Sequence, residues 1–185
     1  MTPYSDLVAR AAREMADAAT GVDPGALAGL VAELAQARRI VAHGVGREGL
    51  MMRALAMRLY HLGLDAHVVG DMSAPPVGPG DLLLVSAGPG AFSTVAALVG
   101  VARVAAARTV CVTAQPQGAV PLACDLVLVI PAQTMADDAA QASVLPMGSL
   151  YEGAQYLVFE ILILHLRDHL NVDPAAMRAR HTNLE

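Results

Sequence analysis

The chain has 185 residues, 55% of them hydrophobic and only 16% charged, with a formal net charge of −5. That length suits one domain with a sizeable core, and so apolar a domain is expected to cover part of its surface with copies of itself, as a dimer or tetramer. An acidic balance without a basic stripe argues against a nucleic-acid partner, and Arg103, Arg108 and Glu160 interrupt the longest apolar runs, which argues against a membrane span.

Residues 1–38 read as two leading helices. "YSDLVARAAREMADAA" sets Leu7, Val8, Ala11, Ala12 and Met15 on one side, and in "DPGALAGLVAELAQAR" Asp23 is placed to cap with Pro24 at the first helical position. The start, "MTPYSDLVAR", lacks a basic segment followed by an apolar block, so no secretory signal is expected. From 39 to 147 the rhythm changes. Short apolar runs ("RIVAHG", "LDAHVVG", "DLLLVSA", "RTVCVTA" and "DLVLVIP") alternate with helical stretches at 48–62 and 93–107 and a weak one at 118–124. Runs that are nearly all apolar suit parallel strands covered on both faces. Cys111 and Cys124 fall in or beside such segments and read as small buried hydrophobes of a reducing compartment, the cytoplasm, without metal spacing. From 148 to 185 the chain reads as a long helix over 149–170, a short one in "DPAAMRAR", and a tail.

Five parallel strands with right-handed crossovers predict an α/β three-layer sandwich, and the order 2-1-3-4-5 is the economical one. In that order the loops after the first and third strands flank a crevice where open sheets bind ligands. Those loops, "HGVGREG" and "SAGPGAFST", are the two most glycine-rich stretches of the chain.

Gly44, Gly46 and Gly49 spell G-x-G-x-x-G between a strand and a helix, a turn that can present backbone N–H groups to an anion. With Asp71 near the end of the second strand, it suits a nucleotide or flavin module, a small-ligand loop, or a tight turn alone. Glu48 complements the helix dipole but competes with any ligand anion. In "PMGSLYE", Ser149 and Glu152 have capping-box spacing, and Glu152 equally suits a general base. His61 stands where a histidine favours a helix C-terminus or shuttles protons, His165 and His169 read as surface residues, and His181 sits in the tail.

"VAHGVGREG", "AMRLYHLG", "GDLLLVSAGPG", "PMGSLYE" and the ending "RHTNLE" resemble the sugar isomerase (SIS) domain family, and most closely its 6-phospho-3-hexuloisomerase branch. The likeness spans nearly the whole chain and implies one SIS-like domain over 1–185. It implies an oligomer, typically a tetramer, with active sites formed between subunits. The implied reaction is enediol isomerisation of a sugar phosphate, without a metal or organic cofactor. By this resemblance Glu152 is the base, His61 its proton-transfer partner, and His181 the tail histidine that reaches a neighbour's site.

Two loops depart from the family. Its first loop usually reads glycine-arginine-serine, where this chain has Gly46, Arg47 and Glu48. Its second usually reads serine-glycine-serine-glycine-glutamate-threonine, where this chain has Ala87, Gly88, Pro89, Gly90, Ala91 and Phe92. The hydroxyls that cradle phosphate are gone, and Ser73, Ser86, Ser93, Thr94 and Thr113 are the hydroxyls nearby. The expected function is therefore a sugar or sugar-phosphate isomerase with an altered phosphate site. A non-catalytic domain that binds a sugar derivative is the alternative.

Overall fold

The structure, a computed structural model, describes residues 2–140 and 143–184, with backbone alone at 138–140; Met1 and Glu185, the last residue of "RHTNLE", lie outside the described residues. Strands β1 (Arg39–His43), β2 (Ala66–Val68), β3 (Asp81–Ser86), β4 (Arg108–Thr113) and β5 (Leu126–Val129) form an all-parallel sheet in the order β2-β1-β3-β4-β5. The register sets Ile40 beside Ala66 and Leu82, Leu84 beside Val110, and Val112 beside Leu128.

Successive residues of a strand point to opposite faces, and both faces are covered. Ile40, Leu82, Leu84, Val110 and Leu128 pack under helices α1 (Tyr4–Thr20), α2 (Pro24–Gln36), α3 (Gly46–Leu62) and α5 (Ser149–His169). Val41, Leu83, Val85 and Cys111 pack under α4 (Ser93–Val104) and a 3₁₀ turn at Pro121–Ala123. Double coverage is why the strand centres are continuously apolar rather than alternating. The result is the three-layer α/β sandwich expected from the sequence. A short helix, α6 (Pro174–Ala179), precedes the tail.

Boundaries differ in places. The second strand is three residues long, the weak helix over 118–124 shortens to the 3₁₀ turn, and a 3₁₀ segment at Met135–Ala140 has no counterpart in the periodicity. Asp23 does cap α2, its Oδ1 accepting the Ala26 N–H at 2.7 Å.

The leading helices brace the last long one. A Cβ at Gly153 would lie 2.4 Å from Met15 Sδ, so α1 and α5 meet where glycine permits it. Glu14 on α1 accepts hydrogen bonds from the Ser143 hydroxyl and the Val144 N–H, which fixes the segment that runs into α5. Leu50 and Met57 on α3, and Leu157, Ile161 and Leu164 on α5, carry exposed apolar side chains at helical spacing. Among the described residues no helix is long and apolar enough to cross a membrane.

Candidate functional site

At the carboxyl end of β1 the chain turns into α3. A Cβ on Gly49 would sit 2.6 Å from the Gly44 carbonyl oxygen, and one on Gly44 would sit 2.9 Å from the Gly49 nitrogen. Glycine at both positions lets the helix begin against the strand end. Packing by itself thus accounts for those two glycines, and Asp71, the acid a dinucleotide site would use, is paired with Arg53 at 3.2 Å.

Next to it, β3 ends at Ser86 and the chain turns through residues 87–90. The Ala87 N–H donates to Val112 and the Gly90 N–H to Ala87, while the Thr113 hydroxyl donates to the Ala87 carbonyl. These bonds hold the loop tightly against β4. The crossovers through α3 and α4 lie on opposite faces of the sheet, so the two loops open toward each other at the switch point.

The start of α5 closes the third side. The capping box suggested by Ser149 and Glu152 does not form: Gly148 occupies the cap position and no side chain caps the helix. Arg47, in the first turn of α3, reaches across instead. Its Nη1 donates to the Ser149 hydroxyl at 2.9 Å, and its Nε lies 2.8 Å from Glu152 Oε2. The Arg47–Glu152 approach is close but not along the N–H direction, so that oxygen is ion-paired without an aligned donor.

A cavity of about 490 Å³ lies between these elements. Residues 45–48, Pro89 and Phe92, residues 134–136, and Met147, Gly148, Tyr151 and Glu152 line it. A shallower depression of about 530 Å³ along α1, lined by Asp6, Arg10, Arg13, Glu14 and Asp17, lies away from both glycine loops. The volume of the first cavity suits a small molecule, and its place suits the binding site of an open α/β sheet.

Glu48 is the buried carboxylate at the cavity, with 7% of its surface exposed. Its Oε2 accepts the Ser86 hydroxyl at 2.5 Å and the Gly88 N–H at 2.9 Å. Ser86 accepts in turn from Gln155 Nε2 at 2.8 Å, with the Tyr151 hydroxyl 3.3 Å away. Burial pushes the Glu48 carboxyl above the usual carboxylate range, the bonds from Ser86 and Gly88 pull it back, and the charge of Glu152 adds to the rise. Burial also raises Glu152, against the lowering effect of Arg47. Tyr151, fully buried, is raised by burial and then by the charge of Glu48. A ligand anion within about 4 Å of Glu48 would meet repulsion on the order of 4 kcal/mol per charge pair at an effective dielectric near 20.

Of the residues singled out from the sequence, Gly46, Arg47, Glu48 and Glu152 line the cavity, with Ser86, Ala87 and Gly88 buried behind it. Gly90 turns away against Gln115 and Gly118, and Ser73, Ser93 and Thr94 are exposed and do not line the cavity. His61 is buried at the far end of α3, its ring centroid 5.3 Å from that of His181. Arg180 sets this pair by donating to the His61 carbonyl. His61 follows Glu48 by thirteen positions along the helix, about 20 Å at 1.5 Å per residue.

Tyr151, Gln155 and the wall at 134–136 were not expected from the sequence. Tyr151 adjoins Glu152 inside "PMGSLYE", and Gln155 is a polar residue on the buried face of α5, one turn further on. The wall depends on contacts distant in sequence, such as Gln115 Nε2 donating to Asp137 at 2.7 Å.

An all-parallel sheet with one buried and one half-buried carboxylate at its switch point suits an α/β sandwich that handles a small polar molecule. No protein-family model matches the chain. It is 39% identical over 172 residues to the 3-hexulose-6-phosphate isomerase of Mycobacterium gastri, spanning 93% of this chain and 86% of that one. The Bacillus subtilis protein of the same name is 30% identical over 157 residues, 84% of this chain and 85% of its own. A crystal structure from Methanococcus jannaschii, from which a function of 3-hexulose-6-phosphate isomerase was inferred, superposes with a TM-score of 0.82 at 26% identity, covering 98% of both chains. The chain belongs to the sugar isomerase (SIS) domain family, beside its hexuloisomerase members, and is an isomerase.

Proposed function

We propose that the protein isomerises a sugar or sugar phosphate through an enediol, with an altered site where relatives hold the phosphate. The observation that carries this is the setting of Glu152, a carboxylate 15% exposed in the switch-point cavity beside Arg47. Burial makes it a stronger base than a free glutamate, and Arg47 keeps it ionised. In that role Glu152 takes the proton from the carbon beside the substrate carbonyl. The N–H groups at the start of α3 and the Arg47 guanidinium then face the oxygen on which negative charge develops.

His61 and His181 are the partners in proton transfer. About 20 Å of α3 separates His61 from Glu48 at 1.5 Å per residue, so a site that uses both ends takes its histidines from another copy of the chain. The exposed apolar side chains of α3 and α5 give that copy a face to dock on. The active unit is thus a homo-oligomer.

Hexulose 6-phosphates are the first substrates to test, from the names of the relatives, and unphosphorylated ketohexoses the second. In heavy water, deuterium should enter at carbon in one of these classes and stay out in Glu152→Gln. Ligand-dependent rises in melting temperature with no deuterium in either class would overturn the isomerase and favour a domain that only binds a sugar derivative.

A further inference from the structure

We infer that Glu48 is a built-in occupant of the anion cradle, and that the cavity selects an uncharged sugar, one of whose hydroxyls donates to Glu48 Oε1. This rests on the isomerase reading and names the substrate class of the same site.

The donors of the loop after β3 that could hold a phosphate are already committed. Glu48 Oε2 takes the Gly88 N–H and the Ser86 hydroxyl. The neighbouring Ala87 and Gly90 N–H groups bond to Val112 and Ala87 within the fold, and Pro89 has no N–H. Arg47, the cation lining the cavity, is held by Glu152 and Ser149. The cradle is also filled sterically, since a Cβ at Gly88 would meet the Tyr151 ring at 2.8 Å and Glu48 Oε1 at 2.9 Å.

What is left over at the cavity is an acceptor. Both known bonds of Glu48 fall on Oε2, and among the described residues Oε1 receives none, although the side chain lines the cavity and is only 7% exposed. Oε1 is accessible from the cavity, so a group bound there can donate to it. A phosphate dianion carries no hydrogen to give, whereas every sugar hydroxyl does. Phe92, Met135 and Met147 then offer apolar wall to the C–H faces of a sugar ring rather than solvation to a dianion.

Calorimetry with D-fructose, fructose 6-phosphate and inorganic phosphate tests this on the wild-type chain, Glu48→Ser and Glu48→Gln, with melting curves to confirm that each variant folds. The wild type should bind fructose at least tenfold more tightly than fructose 6-phosphate and give no heat with inorganic phosphate. Glu48→Ser should gain at least tenfold for fructose 6-phosphate and begin to bind inorganic phosphate. Glu48→Gln, which keeps the shape and removes the charge, should fall between. Wild-type binding of fructose 6-phosphate as tight as that of fructose overturns the inference, as does the absence of fructose binding. Deuterium exchange separates the two levels. Glu152-dependent exchange on fructose 6-phosphate alone keeps the isomerase and removes the inference. Fructose binding with no exchange on either sugar keeps the inference and removes the isomerase.

Discussion

The carboxylate of Glu48, on α3, accepts the backbone N–H of Gly88, 2.9 Å away in the loop after β3. One hydrogen bond thus joins the first turn of α3 to the loop after β3, between residues 40 positions apart in sequence, at the point where the sheet reverses its winding. Adding a methyl group at Gly88 drives it into the Tyr151 ring and Glu48. Gly88→Ala should therefore lose roughly 1–3 kcal/mol of stability through overpacking. The melting temperature should fall by about 2–4 °C for each kcal/mol in a chain this long. Ligand binding should fall with it, and an unchanged melting curve would show that the loops have room to part.

Glu48 also gives the fold a pH signature. Its carboxyl is raised by burial, so the folded protein binds a proton there more tightly than the unfolded chain does. Stability from this group is full below the ordinary glutamate range and is lost as pH rises through the raised value. Melting temperatures of the wild type and Glu48→Gln, compared across that window, should converge or cross as pH rises, with the wild type losing more. Parallel curves would show that Glu48 titrates normally.

Glu152→Gln keeps the shape of the cavity and removes the base. Turnover should fall by roughly 10²–10⁴-fold, the usual contribution of a general base, with little change in melting temperature. Arg47 lowers the Glu152 carboxyl. In Arg47→Met the acid limb of the kcat/KM profile should therefore move to higher pH, because a base freed of its neighbouring cation takes up its proton sooner. An acid limb that stays in place would remove Glu152 from the role of base.

Glu152 and His61 belong to opposite ends of α3 and its surroundings. If working sites combine the two from different copies, inactive Glu152→Gln and inactive His61→Asn chains should restore activity when unfolded, mixed and refolded together. Mixtures as inactive as their parents would confine the chemistry to one copy.

Much of the fold was legible in the sequence because burial on both faces writes itself locally. "LLLV" in β3 and "VCV" in β4 are apolar without alternation since each of these residues meets one helical layer or the other. The switch point followed from strand order and the positions of the glycines. The 3₁₀ wall at Met135–Ala140 left no periodic trace, because it is held by Thr134, Asp137 and the distant Gln115 rather than by an amphipathic pattern of its own.

Spacing along the chain was a poorer guide to partners. Ser149 and Glu152 looked like reciprocal caps of one helix, yet both turn toward Arg47, 102 and 105 positions earlier in the chain. A cationic side chain on a neighbouring helix offers each of them a charge-assisted contact that a local cap does not.

The sequence by itself determined the parallel sheet, its family and the presence of an acidic residue at a phosphate-type turn. Only the tertiary structure decided what that acid does. Whether Glu48 points to solvent, to its own helix or across the crevice depends on where β3 delivers Ser86 and Gly88, and that is set by strand pairing rather than by any neighbour in the chain.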